Sequence, residues 1–553
     1  MTITPVSVDS AGNLGKSDSN SPSISADGRF VAFNSFASNI VPEDTNGKTD
    51  IFVRDLSTNT TTLVSLDSAG NQGNGFSNSP SISADGRFVA FESTASNLVP
   101  GDTNNVGDIF VRDLLTNTTT RVSVDSAGNQ GNKASYPPSI SANGRFVAFY
   151  SDASNLVPGD TNSNTDIFVR DLLTNTTTRV SVDSAGNQAN RNSYNPSISG
   201  DGRLVAFEST ASNIVPGDPN NRDEIFVRDL STNTTTRVSV DSAGNQGNGF
   251  SYSPSISADG RFVAFYSDAS NLVPGDDTNR SRDIFVRDLS TNTTTRVSVD
   301  SAGNPANSDS YRPSISADGR FVAFDSKSSN LVPGDTNNTD DIFVRDTLTN
   351  TTTLVSLDSA GNPGGGFNPS ISADGRFIAF DSGALNLVAG QTNNTRNVFV
   401  ADTSSTRNVI NGTPGNDNLT GTSGNDIING SEGDDVLTGL RASDVLNGGD
   451  GNDILSGGKG FDTLNGGLGN DNLVGGAGND VFVLGAGLGV DTISDFGNDQ
   501  DTIQLINGLT FGQLSISPAT NGTLITLASS GEVLASLTGV DPNLIGSEDF
   551  ISG

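Results

Sequence analysis

The sequence predicts an all-β protein that begins with a seven-bladed β-propeller over residues 1–405. The main observation is the string Pro80-Ser-Ile-Ser-Ala-Asp-Gly-Arg-Phe-Val-Ala-Phe91, which returns nearly unchanged in seven copies. Successive copies are 58 residues apart in the first four steps and 59 and 56 apart in the last two, which is near the length of a propeller blade. The 63 Gly residues and 33% hydrophobic content fit a turn-rich all-β chain. The copies begin at Pro22, Pro80, Pro138, Pro196, Pro254, Pro313 and Pro369.

Each copy has the pattern of a four-stranded blade. In the second copy an extended run at 80–83 and a strand at 88–93 flank Asp-Gly, the strongest hairpin signal. A third strand is predicted at 108–113 and a fourth at 120–124. The apolar runs Phe-Val-Ala-Phe and Ile-Phe-Val are continuous, as expected of strands covered on both faces by neighbouring blades.

The two ends of the array predict that the propeller closes through its N-terminus. The seventh copy stops after its third strand at Asp402, and residues 4–13 match the fourth strand and the following loop of the other copies. The N-terminal strand is therefore expected to complete the last blade, because closure removes exposed sheet edges.

The repeated Ser-Ala-Asp-Gly-Arg-Phe-Val-Ala-Phe core resembles the TolB-like, WD40-like (PD40-type) propeller repeat. The resemblance covers roughly residues 1–405. It implies the fold and says little about function, because one fold supports many activities.

The propeller face that carries the long loops is the predicted binding surface, since the Asp-Gly and Thr-Asn-Thr turns share the other face. All six Tyr residues fall at two equivalent blade positions near that face. Their rings could stack on sugars at the channel mouth or pack against the neighbouring blade, and both interpretations stay open. They are Tyr136, Tyr194, Tyr252 and Tyr311 before the repeat Pro, and Tyr150 and Tyr266 after Val-Ala-Phe.

The blade carboxylates allow structural and metal-binding interpretations. The Asp of the Asp-Gly turn is Asn143 in the third copy, which keeps the turn and loses the acid, so a role in turn geometry is predicted. The loop before the third strand has oxygen side chains at positions 1, 3 and 7, as in Asp102, Asn104 and Asp108. These could bind one hard cation or form Asx turns.

A different pattern begins at Gly412, where a period of nine residues runs through eight copies in one frame. Glycines at positions one, two and four free the backbone to turn, the Asp at position six supplies a hard anionic oxygen, and the apolar residue at position eight fills a core. The predicted metal ligands are Asp417, Asp426, Asp435, Asp444, Asp453, Asp462, Asp471 and Asp480.

This pattern resembles the hemolysin-type calcium-binding nonapeptide of RTX (repeats-in-toxin) proteins. The resemblance implies a parallel β-roll over 412–484, with each nonapeptide forming half a coil and Ca²⁺ shared between Asp residues 18 apart. With only Arg441 and Lys459 as cations after Asn411, stacked carboxylates would repel one another unless a cation intervened. The fourth copy has Leu440 and Ala442 in place of two glycines and is expected to be the weakest ion site.

The segments beside the nonapeptides complete the predicted domain order. Residues 406–411 are predicted to be a linker. Residues 485–553 are similar to the segment that comes after the repeats in RTX proteins, which implies a β-rich C-terminal cap and an uncleaved signal for type I secretion. The N-terminal sequence lacks the basic and apolar regions of a signal peptide, so export is expected to use this C-terminal address.

Composition limits the expected partners. The net charge of −33 argues against nucleic acid and anionic membranes and suits metal cations. No apolar run approaches the ~18 residues of a membrane span, so no membrane insertion is expected. The absence of Cys removes disulfides, and the absence of His removes the usual general base and every imidazole metal site.

These observations predict a secreted or cell-surface calcium-binding protein. Its propeller is expected to act as a binding or adhesion module for an extracellular protein or glycan. The alternative is a carboxylate- or calcium-dependent hydrolase or lyase that acts on glycans through the propeller face. The missing His and the near-identity of the blades argue against an enzyme, because a catalytic site needs residues in one place that the other copies lack.

Overall fold

The computed structural model describes residues 1–217, 222–274, 281–388, 391, 395–403, 408–422, 425–441, 443–497 and 501–552. The chain divides into two compact units, Met1–Thr403 and Ser404–Gly553. Strands dominate both units, and the described residues contain no α-helix. None of the described helices has the length and apolar character needed to cross a membrane.

The first unit is a propeller of seven four-stranded antiparallel sheets, as the repeat predicts. The chain opens with β1 (Thr2–Pro5), which serves as a fourth strand. The innermost strands are β2 (Ser19–Ile24), β6 (Ser77–Ile82), β10 (Ser135–Ile140), β14 (Ser193–Ile198), β18 (Ser251–Ile256), β22 (Ser310–Ile315) and β26 (Phe367–Ile371). The second strands are β3 (Phe30–Ser35), β7 (Phe88–Ser93), β11 (Phe146–Ser151), β15 (Leu204–Ser209), β19 (Phe262–Ser267), β23 (Phe321–Ser326) and β27 (Phe377–Ser382).

The outer half of each blade holds the third and fourth strands. The third strands are β4 (Asp50–Asp55), β8 (Asp108–Asp113), β12 (Asp166–Asp171), β16 (Glu224–Asp229), β20 (Asp283–Asp288), β24 (Asp341–Asp346) and β28 (Asn397–Asp402). The remaining fourth strands are β5 (Thr60–Leu63), β9 (Thr118–Arg121), β13 (Thr176–Arg179), β17 (Thr234–Arg237), β21 (Thr293–Arg296) and β25 (Thr351–Leu354).

The N-terminal strand closes the ring, which confirms the prediction. β1 pairs antiparallel with β28 and gives the last sheet the order β1-β28-β27-β26. Hydrogen bonds between innermost strands close the ring as well: the Ile82 amide donates to Ser23 Oγ at 3.1 Å, and the Ile24 amide donates to Ser370 Oγ at the same distance. Blade one is thus joined to blade seven as it is to blade two.

The cores lie between adjacent blades, which is why the apolar runs are continuous. Phe33 and Phe52 of blade one, for example, are fully buried and stack with ring centroids 5.7 Å apart. The Asp-Gly turn has the structural role that the sequence predicts. Asn143 Oδ1 accepts hydrogen bonds from Ser141 Oγ and the Arg145 amide, as Asp27 does from its own neighbours.

The second unit is a parallel β-solenoid of two sheets, and its coils repeat every 18 residues. One sheet holds β29 (Asn408–Asn411), β31 (Asp426–Glu432), β33 (Val445–Asp450), β35 (Thr463–Leu468), β37 (Val481–Leu484), β39 (Thr502–Leu505) and β43 (Phe550–Ser552), in that order. The other holds β30 (Asn418–Thr420), β32 (Val436–Arg441), β34 (Ile454–Lys459), β36 (Asn472–Ala477), β38 (Asp491–Ile493), β42 (Val533–Thr538), β41 (Gly522–Leu527) and β40 (Leu514–Ala519).

The eighth residue of each nonapeptide fills the solenoid core, as predicted. Ile428, Leu437, Leu446, Leu455, Leu464, Leu473 and Phe482 are fully buried in one cluster, while Leu419 in the first coil is only half-buried. Strands β38 to β43 extend the two sheets beyond residue 484. Short 3₁₀ helices at Phe511–Gln513, Pro542–Leu544 and Ser547–Asp549 lie between these last strands.

The predicted linker at 406–411 needs correction. Residues 406 and 407 lie outside the described part of the chain, but Asn408–Asn411 is strand β29, paired parallel with β31 in the register Asn408 to Asp426. The first coil therefore starts before Gly412. This happens because Val409 and Ile410 extend the apolar register of Ile427 and Ile428 by one coil.

Candidate metal centre

The predicted aspartates form two ladders along the solenoid. All except Asp417, which is half-buried in the first coil, are almost completely buried. In each ladder one carboxylate oxygen, Oδ1, accepts a hydrogen bond from the backbone amide of the Asp one coil earlier. The Asp435 amide donates to Asp453 Oδ1 at 2.7 Å, and the Asp453 amide donates to Asp471 Oδ1 at 2.8 Å. The second ladder repeats this from Asp426 through Asp444 and Asp462 to Asp480.

The second carboxylate oxygen of the ladder aspartates is buried and receives no hydrogen bond from the described residues. This holds for Oδ2 of Asp435, Asp453, Asp462, Asp471 and Asp480. A buried anionic oxygen without a donor is strongly destabilising unless a positive charge satisfies it. The regular recurrence of this feature indicates a site for a ligand that is not part of the polypeptide.

The first glycine of each nonapeptide leaves open the space beside that oxygen. A Cβ added to Gly448 would lie closer than 3.0 Å to both Asp453 Oδ2 and the Gly466 carbonyl oxygen. The same pair of oxygens, one coil earlier, surrounds Gly430. A carboxylate oxygen and a carbonyl oxygen thus converge on one small space, and oxygen atoms of these two kinds are the ligands that Ca²⁺ takes in proteins.

The second and fourth glycines permit the tight stacking of the coils. Gly449 has a φ of +117° and Gly451 a φ of +146°. A Cβ at either position would collide with the backbone carbonyl of the preceding coil. In the fourth copy Leu440 takes the second position with a φ of +83°, a conformation that costs a branched side chain energy. Ala442 lies outside the described residues.

The electrostatics of the ladders are those of carboxylates that lack a counter-charge. Burial raises the pKa of Asp453 to about 6, of Asp480 to about 7 and of Asp462 to about 8, with the charges of neighbouring ladder aspartates adding to the effect. A bound cation would oppose these shifts, because it favours the ionised form.

Two ladder residues escape the nine-residue pattern. The Asp471 amide donates to Asp491 Oδ1 at 3.2 Å, and the Asp480 amide donates to Asp501 Oδ1 at 2.9 Å. Asp491 and Asp501 follow insertions that break the period, so they lie 20 and 21 residues after their partners. Both begin the tripeptide Asp-Thr-Ile, which keeps the spacing of Asp to the core residue and is the signal that could have identified them.

Side chains alone do not build the candidate site. Among the described residues, no three Asp, Glu, His or Cys side chains lie close enough together to hold one metal ion. A cation in the solenoid would therefore be bound by ladder carboxylates together with backbone carbonyls. This is consistent with the requirement for glycine, which lets carbonyl groups approach the ladder.

The propeller loops with oxygen side chains at positions 1, 3 and 7 are filled by protein groups in most described blades. In blade two, Asn104 Nδ2 and Gln130 Nε2 each donate to Asp108 Oδ2 at 3.1 Å. The backbone amide of Val106 donates to Asn104 Oδ1, which forms an Asx turn. Asp218, Asn220, Asp277, Asn279 and Asn393 of the equivalent loops lie outside the described residues.

The six tyrosines lie at the long-loop end of the channel and contact one another across blades. Tyr136 stacks on Tyr150 of its own blade at 5.0 Å, and Tyr150 meets Tyr194 of the next blade edge-on at 5.8 Å. Tyr252, Tyr266 and Tyr311 repeat this arrangement. The rings are half-buried, so each packs on a neighbour and also keeps an exposed part.

Buried carboxylates lie beside these rings, and the sequence gives little warning of them. Glu208, Asp325 and Asp381 all follow the Val/Ile-Ala-Phe motif and are almost fully buried. Burial raises the pKa of Glu208 to about 7, against a hydrogen bond from Asn195. Asp325 pairs with Arg312 at 3.0 Å and Asp381 with Arg396 at 3.3 Å. This position differs between blades, which is where a chain of near-identical repeats can acquire a specific site.

Fold and site together define a seven-bladed propeller followed by a glycine- and aspartate-rich parallel β-solenoid. Residues 402–493 match the family described as "RTX calcium-binding nonapeptide repeat (4 copies)", in overlapping stretches at 402–437, 411–446, 430–464, 447–482 and 457–493. The solenoid thus carries repeats of a calcium-binding type. No curated protein matches the sequence.

Among solved structures, the similar ones include propellers. TolB from Acinetobacter baumannii is 16% identical over 61% of this chain and 62% of its own length, with a TM-score of 0.34. The putative TolB from Agrobacterium tumefaciens is 16% identical over 63% of this chain and 96% of its own, with a TM-score of 0.35. The β-propeller domain of the Trilobed protease from Pyrococcus furiosus is 12% identical over 71% and 95%, with a TM-score of 0.44. The chain spans less than two thirds of the first TolB, and the propeller assignment here rests on strand order.

Proposed function

We propose that this protein binds calcium through its solenoid and that calcium binding drives the folding of this unit. The observation that carries the proposal is the row of buried Asp Oδ2 atoms without a donor among the described residues. The ligands would be the ladder aspartates Asp417, Asp426, Asp435, Asp444, Asp453, Asp462, Asp471 and Asp480, with backbone carbonyls of the position-one glycines. The continuation of the ladders supports adding Asp491 and Asp501 to this set.

Secretion is the second part of the proposal. After Asn411 the chain has 19 Asp and Glu residues against 2 Lys and Arg residues, so without a cation the segment repels itself and buries too little apolar surface to fold. A chain that stays unfolded where calcium is scarce and folds where it is abundant suits export through a narrow channel. The C-terminal residues after 485 would supply the type I secretion signal.

The propeller would then act outside the cell or at its surface as a binding or adhesion module. Its long-loop end displays half-buried aromatic rings with adjacent polar groups, such as Tyr311, whose hydroxyl donates to Asp309. Aromatic faces with nearby hydrogen-bonding groups suit a glycan or a protein loop. The ligand class we expect is therefore an extracellular glycan or protein.

An alternative function is a glycan hydrolase or lyase at the same face. The observation that favours it is the placement of Tyr150 near both Glu92 and Glu208. Burial raises the pKa of Tyr150 to about 12, and the charges of the two carboxylates add to this. Carboxyl groups with a raised pKa can act as general acids near neutral pH.

Calcium titration of the full-length chain tests the solenoid proposal. Circular dichroism should show β-structure increasing with calcium, and calorimetry should show heat of binding. A variant in which Asp435, Asp453 and Asp471 are all Asn should lose much of both signals, whereas Asn472→Asp, which adds an acid outside the ladders, should retain them. Equal β-structure in chelator and in calcium would contradict the proposal.

Glycan and protein arrays probed with the full-length chain in calcium separate the two propeller functions. Retention without change of the ligand supports the binding module, and release of a shortened or unsaturated sugar supports the enzyme. Tyr252→Ala at the long-loop end should abolish retention, while Leu115→Ala in an exposed turn of the opposite face should leave it unchanged.

A further inference from the structure

Arginine acts as the cation in the loops that precede the third strands of blades two and three. Arg121 Nη1 lies 3.5 Å from Asp102 Oδ1 and 3.8 Å from Asp108 Oδ2. Arg179 holds the same place, 3.3 Å from Asp160 and 3.8 Å from Asp166. Each pair of buried carboxylates therefore has a positive group between its members.

Charge in this position follows the arginine from blade to blade. In blade five Arg296 pairs with Asp283 at 3.6 Å, and in blade four Arg237 pairs with Glu224. In blade seven the arginine position is Pro5, and there the corresponding acids are the neutral residues Gln391 and Asn397. Loss of the cation is thus matched by loss of the anions.

Blade six breaks this relation. It keeps both acids, Asp335 and Asp341, but has Leu354 at the arginine position and Pro363 at the position of Gln130. Both carboxylates are more than nine-tenths buried. The described residues offer them no ion pair with Lys or Arg, and Asp340 adds a third acid to the loop.

One oxygen in this loop identifies where a ligand would bind. Asp341 Oδ1 accepts hydrogen bonds from Ser356 Oγ at 2.7 Å and from the Gly365 amide at 3.0 Å. Asp341 Oδ2 accepts none from the described residues. In blade two the equivalent Asp108 Oδ2 is the atom that faces both Arg121 and Gln130. The unpartnered oxygen therefore points to the place that the guanidinium and the amide occupy elsewhere.

The electrostatics agree with a missing positive charge. Burial raises the pKa of Asp335 to about 6, and the charge of Asp341 raises it further. Burial likewise raises the pKa of Asp341, and Asp340 adds to this, while Asn337 beside it acts in the opposite direction. Two adjacent buried carboxylates without a cation are strongly destabilising.

Blade one is a partial control within the same chain. It also lacks the arginine, having Leu63, but Gln72 Nε2 donates to Asp44 Oδ1 at 2.8 Å and to Asp50 Oδ2 at 3.0 Å. The amide thus bridges the two carboxylates and occupies the space between them. Blade six has lost this bridge as well, which makes it the best cation site among the described loops.

We propose that blade six binds a divalent cation of the calcium type between Asp335 and Asp341, at the place that arginine takes in blades two and three. Two carboxylates, the side-chain oxygen of Asn337 and water would supply the hard oxygen ligands that such an ion requires. The site is separate from the solenoid ladders and does not depend on them.

Hydrogen exchange of the full-length chain, measured by mass spectrometry with Ca²⁺ and with chelator at constant pH, tests the proposal. Calcium should slow exchange at least several-fold in the peptide that covers 333–343. Leu354→Arg, which supplies the arginine that four sister blades carry at this position, should abolish that effect. Leu354→Met, which adds no charge, should retain it. The equivalent blade-two peptide at 100–110 should respond to calcium only in the double variant R121L/Q130P.

The outcomes are decisive in either direction. An unchanged 333–343 peptide in the native chain would overturn the proposal, as would a calcium effect that persists in Leu354→Arg. Should Leu354→Arg fail to fold, Asp341→Asn takes its place and should also abolish the effect. Because the readout is local, calcium binding by the solenoid alone would slow exchange after residue 408 and leave blade six unchanged, which would also contradict the proposal.

Discussion

Asp453 and Asp444 occupy equivalent ladder positions in copies of different quality. Asp453 belongs to the fifth copy with all its turn glycines, whereas Asp444 follows Leu440, which is held at a φ of +83°. We expect Asp453→Ala to raise the calcium concentration at the midpoint of folding about tenfold, equivalent to roughly 1.4 kcal/mol. Asp444→Ala should raise it several-fold less, because its coil begins from a strained conformation. Circular dichroism during calcium titration measures both midpoints.

Both variants should reach the native signal at saturating calcium, which serves as the control for folding. Equal midpoints for the two substitutions would mean that the glycine pattern does not set the strength of the sites.

Glu208 predicts a pH dependence of propeller stability. Its ordinary pKa of 4.5 is raised to about 7 by burial, with the charge of Asp223 adding to this and hydrogen bonds from Asn195 and Ser253 opposing it. Because the folded pKa lies above the unfolded one, the protonated carboxyl stabilises the propeller fully below about pH 4.5, and this contribution is lost as pH rises to about 7. The loss is up to about 3 kcal/mol at 1.36 kcal/mol per pKa unit.

Denaturant unfolding of the native chain and of Glu208→Gln at pH 5 and pH 8, at constant calcium, measures this contribution. The Gln variant should lose less stability than the native chain between the two values. Asp325 and Asp381 titrate in the same window, so the difference between the two proteins is the relevant quantity. Parallel pH profiles would show that Glu208 is already ionised in the folded protein.

At the residue level, the sequence predicts positions whose role depends on local spacing. The buried ladder aspartates, the core residues at position eight and the Asx role of Asn143 all follow from short patterns. Asp491 and Asp501 do not, because insertions break the nine-residue frame while the coil geometry still brings them into the ladders. The burial of Glu208 and Asp325 is also unpredictable from one blade, since it depends on contacts with the next.

Strand β1 is the element that closes the propeller, and its removal should be costly. Val6 and Val8, just after the strand, are buried, and Ser7 Oγ donates to Asn397 Oδ1 at 3.1 Å. Deleting residues 1–13 should destabilise the propeller by about 3–6 kcal/mol, since burying one Val side chain contributes roughly 1.5–3 kcal/mol. Differential scanning calorimetry should show a clearly lower Tm for the propeller transition.

Thr2→Ala is the matched control for that deletion, because Thr2 is exposed at the start of the strand and its loss removes no core contact. A deletion variant with the Tm of the native chain would mean that blade seven is stable with three strands and that the ring does not depend on its N-terminal closure.

The elements differ in how well the sequence predicts them. Blade strands are well predicted because Asp-Gly turns and apolar runs mark both ends. Strand β29 is missed because it has no turn glycine before it, although Asn408-Val-Ile-Asn-Gly412 repeats Asp426-Ile-Ile-Asn-Gly430 at the coil spacing of 18. The pairing of a strand with a partner one coil away, rather than its own composition, decides that it forms.

The two units of the molecule depend on different forces. The propeller has a large apolar core between every pair of blades, together with ion pairs such as Arg87 to Asp113 at 2.8 Å. The nonapeptide coils bury one apolar side chain per copy and enclose a carboxylate with it. The propeller is thus expected to fold without added ions, whereas for the solenoid folding and metal binding become one equilibrium.

Removal of calcium from the whole chain should therefore unfold one unit and leave the other. In chelator, residues 411–484 would have to order their backbone at a cost of ~1–2 kcal/mol per residue with little apolar burial in return. We expect hydrogen exchange in chelator to be fast throughout 408–484 and slow in blade strands such as β8 and β12. Calcium should restore protection across the coils together. Lowering the pH to about 4 in chelator should restore part of it, because protons neutralise Asp453, Asp462 and Asp480, whose pKa values burial raises to about 6, 8 and 7. Uniform protection of both units in chelator would mean that the ladder carboxylates are stabilised by something other than a cation, and the folding-on-export scheme would fail with it.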